Sequence, residues 1–298
     1  MKVRIGGQAV VEGVMMRSDN FISTAVRTEK GEVKKRTRRF NSLTEKHRFL
    51  GLPFVRGVFM LFELMGIGLK EISWSAEQAG EDEPLTKKEM FFTFALSLLL
   101  VLSIFKLLPW FLANFFTGSS SLVGVNVVDG ILKLLIFIIY LFLISLLPDV
   151  KRLYEYHGAE HKVVACYESG LKLTPSNANK FSRLHPRCGT TFVFVVFLIG
   201  ILVYLLIPLN TGFWGNYFIR IMLLPLIAGI SYELLRLEGK YYCKSRIVRI
   251  LMWPGIQFQR LTTRNPSLKQ LSVAITSLNE CIKSENSLKS KKSLKKKS

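Results

Sequence analysis

The chain has 298 residues, 49% of them hydrophobic, and a formal net charge of +20; its mean hydropathy is +0.29. So much apolar sequence beside so much charge excludes an ordinary soluble domain. The two coexist when apolar segments cross a membrane and basic residues fill the loops.

No secretory leader is expected, because Lys2 and Arg4 follow Met1 with no apolar core. Residues 1–48 read as a cytoplasmic β-rich unit. Phe21–Arg27 and Val33–Phe40 flank a turn at Gly31, the pattern of a hairpin. Ahead of it, Gly6–Arg17 is bracketed by glycines, which let a backbone bend or approach something closely. No Gly-Lys-Ser/Thr follows, so it is not a phosphate loop. Glu12 stands in this stretch among apolar neighbours, where no solvated face explains it. Residues 49–80 read as an amphipathic interfacial helix, lying at the inner membrane surface or packed under the spans. A fifth span here is the alternative; it would make the two loops without Lys or Arg cytoplasmic, against the charge pattern. The run Phe49–Ile72 is apolar but carries Arg56, Glu63 and Lys70, and Pro53 suits a first turn.

Four runs of roughly 20 apolar residues match the hydrocarbon thickness. They are Met90–Phe116 and Val128–Leu147, a first pair within 90–147, and Thr190–Leu209 and Tyr217–Leu235, a second pair within 190–235. Lys133 and Arg220 lie near span ends, where long side chains reach the headgroups. Lys106 lies deeper and is expected to face protein or the nearer headgroups. Lys and Arg number 12 in residues 1–48, none in 117–127, 7 in 148–189, none in 210–216 and 15 from Arg236 onward. This alternation puts both termini and the middle loop in the cytoplasm. Residues 236–283 are a cytoplasmic C-terminal region. There Asn265-Pro266 starts an amphipathic helix with Leu268, Leu271, Ile275, Leu278 and Ile282 on one face. Residues 284–298 are a Lys-rich tail, expected to be disordered and drawn to anionic headgroups. Nucleic acid is a disfavoured partner, since orientation in the membrane accounts for most of the charge. The expected fold is therefore membrane α-helical: about four transmembrane helices, an N-terminal cytoplasmic β unit and a C-terminal amphipathic helix.

The segment 148–189 concentrates the chemistry. Asp149–Ser169 reads as a helix capped by Gly170. His157-Gly-Ala-Glu160-His161 puts two imidazoles one turn apart, a metal-ligand spacing shared with inverzincin metallopeptidases. His185-Pro-Arg-Cys188 follows 24 positions on. Cys188 comes just before the third span, where the helix dipole favours thiolate. Glu233, at the cytoplasmic end of the fourth span, is a costly carboxylate and a candidate downstream ligand. The candidate metal residues are thus His157, His161, His185, Cys188 and Glu233, for a divalent metal, with zinc the best match. Glu160, Glu12 and Arg187 are the candidate catalytic residues. Two bland readings compete. His3Cys fills a tetrahedron and would be a structural zinc, and Glu233 would simply pair with Arg236 or Arg220. Cys166, Cys243 and Cys281 read as packed thiols, without a disulfide framework.

Gly6-Gly-Gln-Ala-Val-Val-Glu-Gly-Val-Met-Met-Arg17, His157-Gly-Ala-Glu-His161, His185-Pro-Arg-Cys-Gly189, Ser231-Tyr-Glu-Leu234 and Gln259-Arg-Leu-Thr-Thr-Arg264 together resemble the YqhQ family of bacterial membrane proteins, over about residues 3–283. The resemblance implies a bacterial plasma-membrane location and a metal-dependent enzyme of unstated reaction. No substrate carries over. The combined expectation is a polytopic inner-membrane protein with a cytoplasmic metal site. In the enzyme reading it is a zinc-dependent hydrolase, Glu160 being the general base toward a water the metal activates and Arg187 binding an anionic or carbonyl oxygen. The alternative is a membrane scaffold or regulator with a structural zinc. Neither reading sets an oligomeric state.

Overall fold

Small and β-branched residues between tight turns build the N-terminal sheet. A computed structural model describes residues 3–80, 86–118, 122–207, 212–242 and 244–295. In it β1 (Gly6–Val10), β2 (Gly13–Arg17), β3 (Phe21–Arg27) and β4 (Val33–Arg39) form an antiparallel meander in chain order. The expected hairpin is β3–β4, with Gly31 at φ 82°. Gly6–Arg17 proves to be a second hairpin, in which Val10 pairs with Gly13 across a two-residue turn. Glu12 occupies that turn at φ 49°, a left-handed conformation that a side chain rarely adopts. Alternation sends Val14, Met16 and Ala25 to one face of the sheet, and Val10, Met15, Ile22 and Val26 to the other.

After a short turn, α1 (Leu43–Lys46), comes α2 (Val55–Ala79). Its Ile67 and Ala79 cover the second sheet face. Glu71 of α2 is fully buried there. It accepts from Thr24 Oγ1 at 2.6 Å, from Arg36 Nη2 at 2.9 Å and from Arg38 Nε at 2.9 Å. This buried carboxylate is matched by two guanidinium groups on β4, which makes burial tolerable. The segment expected to be interfacial therefore packs on the sheet with one end and on the apolar helices with the other. Arg56 pairs with Glu233. A Cβ at Gly57 would come within 2.7 Å of Tyr232.

The apolar part starts with α3 (Lys87–Leu102), which passes through a π-helical turn (Ser103–Leu107) into α4 (Leu108–Thr117). Next come α5 (Leu122–Ile144), α8 (Gly189–Tyr204), α9 (Gly212–Met222) and α10 (Leu224–Tyr241). Among the described residues, three stretches are long and apolar enough to cross a membrane: Phe91–Thr117, Gly124–Ile144 and Trp214–Gly239. Large apolar side chains such as Phe91, Phe92, Leu99 and Phe142 stand exposed on them, as lipid-facing helices require. The expected third span differs. Its helix has 16 residues, about 24 Å at 1.5 Å per residue, and the end of the run beyond Ile207 lies outside the described residues. Lys133 and Arg220 do not reach for headgroups. They are 5% and 2% exposed and share Asp129, at 2.5 and 2.7 Å. A carboxylate one turn before Lys133 holds both cations inside the bundle more effectively than a distant interface could.

Between the two pairs of apolar segments lie α6 (Pro148–Ser169) and α7 (Pro175–Asn179). Gly170, at φ 85°, ends α6 as expected. After α10 comes α11 (Arg246–Thr262), which exposes Ile247, Ile250, Leu251 and Trp253 along one side. Finally α12 (Leu268–Lys295) lies against α6 and the first face of the sheet through Leu271, Ala274 and Leu278. It starts two residues after Pro266, where Ser267 and Gln270 bond reciprocally as a capping box. The tail expected to be disordered from Ser284 is helical to Lys295. Glu285 anchors it, buried between Ser18 at 2.8 Å and Asn20 at 2.7 Å.

Candidate metal centre

The site grows from the spacing in α6. One helical turn stacks His157 and His161, with ring centroids 4.5 Å apart. Neither imidazole is free to turn. His157 Nδ1 meets the carbonyl of Thr262 at 2.9 Å, and His161 Nδ1 meets the carbonyl of Arg183 at 2.5 Å. A carbonyl only accepts, so each Nδ1 donates, and the lone pair of each ring is left on Nε2. This is the arrangement that orients metal-bound histidines in general. Burial pushes the His161 pKa down, and contact with Cys188 only partly offsets it, so the ring is held neutral.

Cys188 supplies the third group. It caps α8, its Sγ accepting from the Thr190 N–H at 3.4 Å. The same Sγ lies 3.3 Å from His157 Nε2. The donor atoms of His157, His161 and Cys188 all lie within 4.8 Å of one another, the one such convergence of three metal-binding side chains among the described residues. Tetrahedral zinc, with bonds of about 2.0–2.3 Å, sets ligand atoms about 3.3–3.8 Å apart, so small side-chain movements suffice. Two imidazoles and a thiol are also the donor types zinc prefers. The residues fit the metal.

Glu160 lies beside this group. Its Oε2 is 3.4 Å from His161 Nε2. Burial pushes its pKa up, while His157 and His185 pull it partly back. The wall that buries it is β1. A Cβ on Gly7 would stand 2.6 Å from Glu160 Cγ, so only glycine fits. This close approach is the service that the glycine-bracketed N-terminal stretch performs. Gly158 does the same on the other side, where a Cβ would meet the Arg264 carbonyl oxygen at 2.0 Å. It lets the backbone after α11 cross α6 closely enough to reach His157.

The remaining expected residues fall around the centre rather than in it. The His185 ring is 5.7 Å from that of His161, yet its Nδ1 accepts the Arg187 N–H and its Nε2 faces Glu168 at 3.5 Å. Arg187 also pairs with Glu168, whose pKa falls below the usual carboxylate range because these two partners outweigh burial. Glu233 is paired with Arg56, not with Arg220 or Arg236, and stands outside the convergent group. Glu12 binds Arg152 at 2.6 Å and accepts from the Tyr156 hydroxyl at 3.3 Å, also outside it. Cys166 and Cys281 are buried free thiols; Cys243 lies outside the described residues. Sequence reasoning missed Gln259, which donates to the His185 carbonyl and to Thr191 and accepts the His185 N–H. It also missed the carbonyls of Arg183 and Thr262. Gln259 and Thr262 sit in a motif that carried the family resemblance, but a backbone acceptor leaves no side-chain signature.

A family described as "Protein of unknown function (DUF1385)" matches residues 52–284. The chain belongs to that family. The matched span runs from before α2 into α12 and takes in every residue of the centre. The DUF1385 chain is also 36% identical over 301 residues to "Uncharacterized protein YqhQ" of Bacillus subtilis (strain 168), covering 94% of this chain and 92% of the relative. No solved structure matches.

Proposed function

We propose that this chain is a polytopic protein of the bacterial inner membrane whose metal centre, with zinc as the ion, faces the cytoplasm and carries out hydrolysis. The observation that carries the reading is the orientation of His157 and His161. Both spend Nδ1 on backbone carbonyls and turn Nε2 toward Cys188. Three protein ligands with a fourth position left to solvent or substrate are the pattern of catalytic zinc. The ion would supply Lewis acidity and lower the pKa of a water toward about 7. Glu160, buried and raised in pKa, would take the proton. Arg187, at the amino end of α8, would bind a developing oxyanion.

The rival reading is a scaffold with a closed structural zinc. Its support is His185, whose ring stands next to His161 and could become the fourth ligand by leaving Glu168. Metal analysis of purified full-length protein separates the two. In the hydrolase reading His157→Ala loses the metal, whereas His185→Ala and Glu160→Gln keep near one equivalent. Loss of metal in His185→Ala would favour the closed site.

The proposed topology has four spans, with α8 and its continuation as the third and both termini inside. The 12, 0, 7, 0, 15 distribution of Lys and Arg supports it. Reporter fusions after Pro175 and Ser290 should give a cytoplasmic signal and one after Gly212 an exterior signal. An exterior signal at Pro175 would defeat the cytoplasmic assignment.

A further inference from the structure

Along α5 and α8 the apolar helices line a slot of about 560 Å³, and its Tyr204 end is the one away from the metal centre. One end of it is basic. Lys133 and Arg220 share a single carboxylate, Asp129, through the same Oδ2. Lys106, on the π-helical turn, lines the cavity with no ion pair among the described residues, and its Nζ donates to the Tyr204 hydroxyl at 2.9 Å. Lys106 and Lys133 approach the same Tyr204 ring, at 5.1 and 5.0 Å. Lys106 and Lys133 therefore line the slot beside one carboxylate, Asp129, which is already shared between Lys133 and Arg220. Uncompensated charge at such a depth is expensive and marks a ligand or ion pathway by default.

The rest of the lining is apolar and long. Along α5 it runs from Asp129 to Tyr140, and along α8 from Val193 to Tyr204. Each spans 12 residues, 11 rises of 1.5 Å or about 16 Å. Leu100 and Val101, on the α3 wall, are half exposed, so the slot opens on the outer side of the helices. At Gly200 a Cβ would meet only Tyr204 Cε2, at 3.8 Å, so that stretch of slot is kept wide by the missing side chain.

We propose that this slot binds an anionic phospholipid, its phosphate on Lys106 and Lys133 at the Tyr204 end and one acyl chain along Leu100, Phe137 and Val196. Charge complementarity selects the headgroup. The apolar length and the lateral opening select a lipid over a soluble phosphate. This site is separate from the metal centre and stands or falls without it.

Full-length protein in a neutral detergent tests it by native mass spectrometry and thermal shift. The probes are phosphatidylglycerol, phosphatidylcholine with the same chains, and inorganic phosphate. The wild type should retain phosphatidylglycerol at least tenfold more strongly than phosphatidylcholine, and inorganic phosphate alone should leave Tm unchanged. Lys106→Met should weaken phosphatidylglycerol binding at least tenfold. Gly200→Leu fills the slot while leaving every cation in place, and should do the same with its helical signal intact. It decides the matter if Lys106→Met fails to fold. Equal retention of the two lipids, or wild-type retention by a folded variant, overturns the proposal. A thermal shift from inorganic phosphate as large as that from phosphatidylglycerol would replace the lipid by a free anion and overturn it too.

Discussion

Helix α8 carries a polar centre at each end, and the two are built on opposite plans. At its first residues, Cys188 joins two histidines that are held from behind by carbonyls of distant segments. At its last, Tyr204 sits among Lys106, Asp129, Lys133 and Arg220, which hold one another. The first is a set of donors aimed at a common point, with little formal charge. The second is an excess of charge with hardly any backbone support. Directional groups need a rigid frame to make a site. Charges inside an apolar bundle need a counter-charge to be there at all, so the frame and the site become the same residues.

The comparison breaks most visibly at Asp129. Replacing it by Ala leaves Lys133 and Arg220 buried without a partner, which costs about 3–5 kcal/mol. We expect Asp129→Ala to fall sharply in membrane abundance and in Tm. An Asp129→Ala protein as stable as wild type would mean the cluster is not held together by its charges. At the other end, His157→Ala should release the metal and abolish any phenotype that the intact gene complements, with a smaller loss of Tm than Asp129→Ala. Metal analysis and complementation on the same preparations check both.

Gly7→Val probes the frame instead of the ligands. The new side chain enters space already held by Glu160, and overpacking of this kind costs about 1–3 kcal/mol. Function should drop through a displaced Glu160 while metal content stays near wild type. Glu160→Gln should keep both Tm and metal and lose function alone. Full complementation by Glu160→Gln would reduce the carboxylate to a bystander and the metal to a staple.

The smallest effect concerns pH. Burial raises the pKa of Glu285, but hydrogen bonds from Ser18 and Asn20 outweigh it and leave it below the ordinary value. Its carboxylate therefore stabilises the folded state above the unfolded pKa of about 4.3, and that contribution is lost as pH falls through the lower folded value. Proteolysis of the α12 end should accelerate in acid in the wild type. Glu285→Gln should remove the pH dependence.

The two ends of α8 also differ in how far they could be read in advance. The i, i+4 histidines, the Gly170 cap and the β3–β4 hairpin each rest on local spacing, and local spacing is written in sequence. Cys188 needed only its place before an apolar run. The Asp129 cluster had no such mark. Lys106, Lys133 and Arg220 come from three separate helices. Lys133 and Arg220 each alone look like side chains reaching for the membrane surface. Lys106 lies deep enough to be expected against protein or the nearer headgroups, and it does meet protein, at Tyr204. Asp129 was invisible as well, being one acid in an apolar run. Glu12 and Glu233 misled in the other direction. Isolated carboxylates suggested a shared site, and each turned out to have a private arginine, Arg152 and Arg56. The exposed apolar side of α11 carries no clear signal in the sequence because Arg246 precedes it and Arg249 interrupts it.

The Thr262 carbonyl behind His157 has a consequence for the order of events in synthesis. His157, His161 and Cys188 leave the ribosome, and α5 and α8 with them, well before residue 262 exists. Until the chain after α11 has crossed Gly158, the His157 ring is free to present either nitrogen. A chain interrupted at Ser245 would keep all the apolar helices and all three ligands, yet should hold metal poorly. The centre would thus report that synthesis has passed residue 262, because a segment made about a hundred residues later sets the direction of the His157 ring.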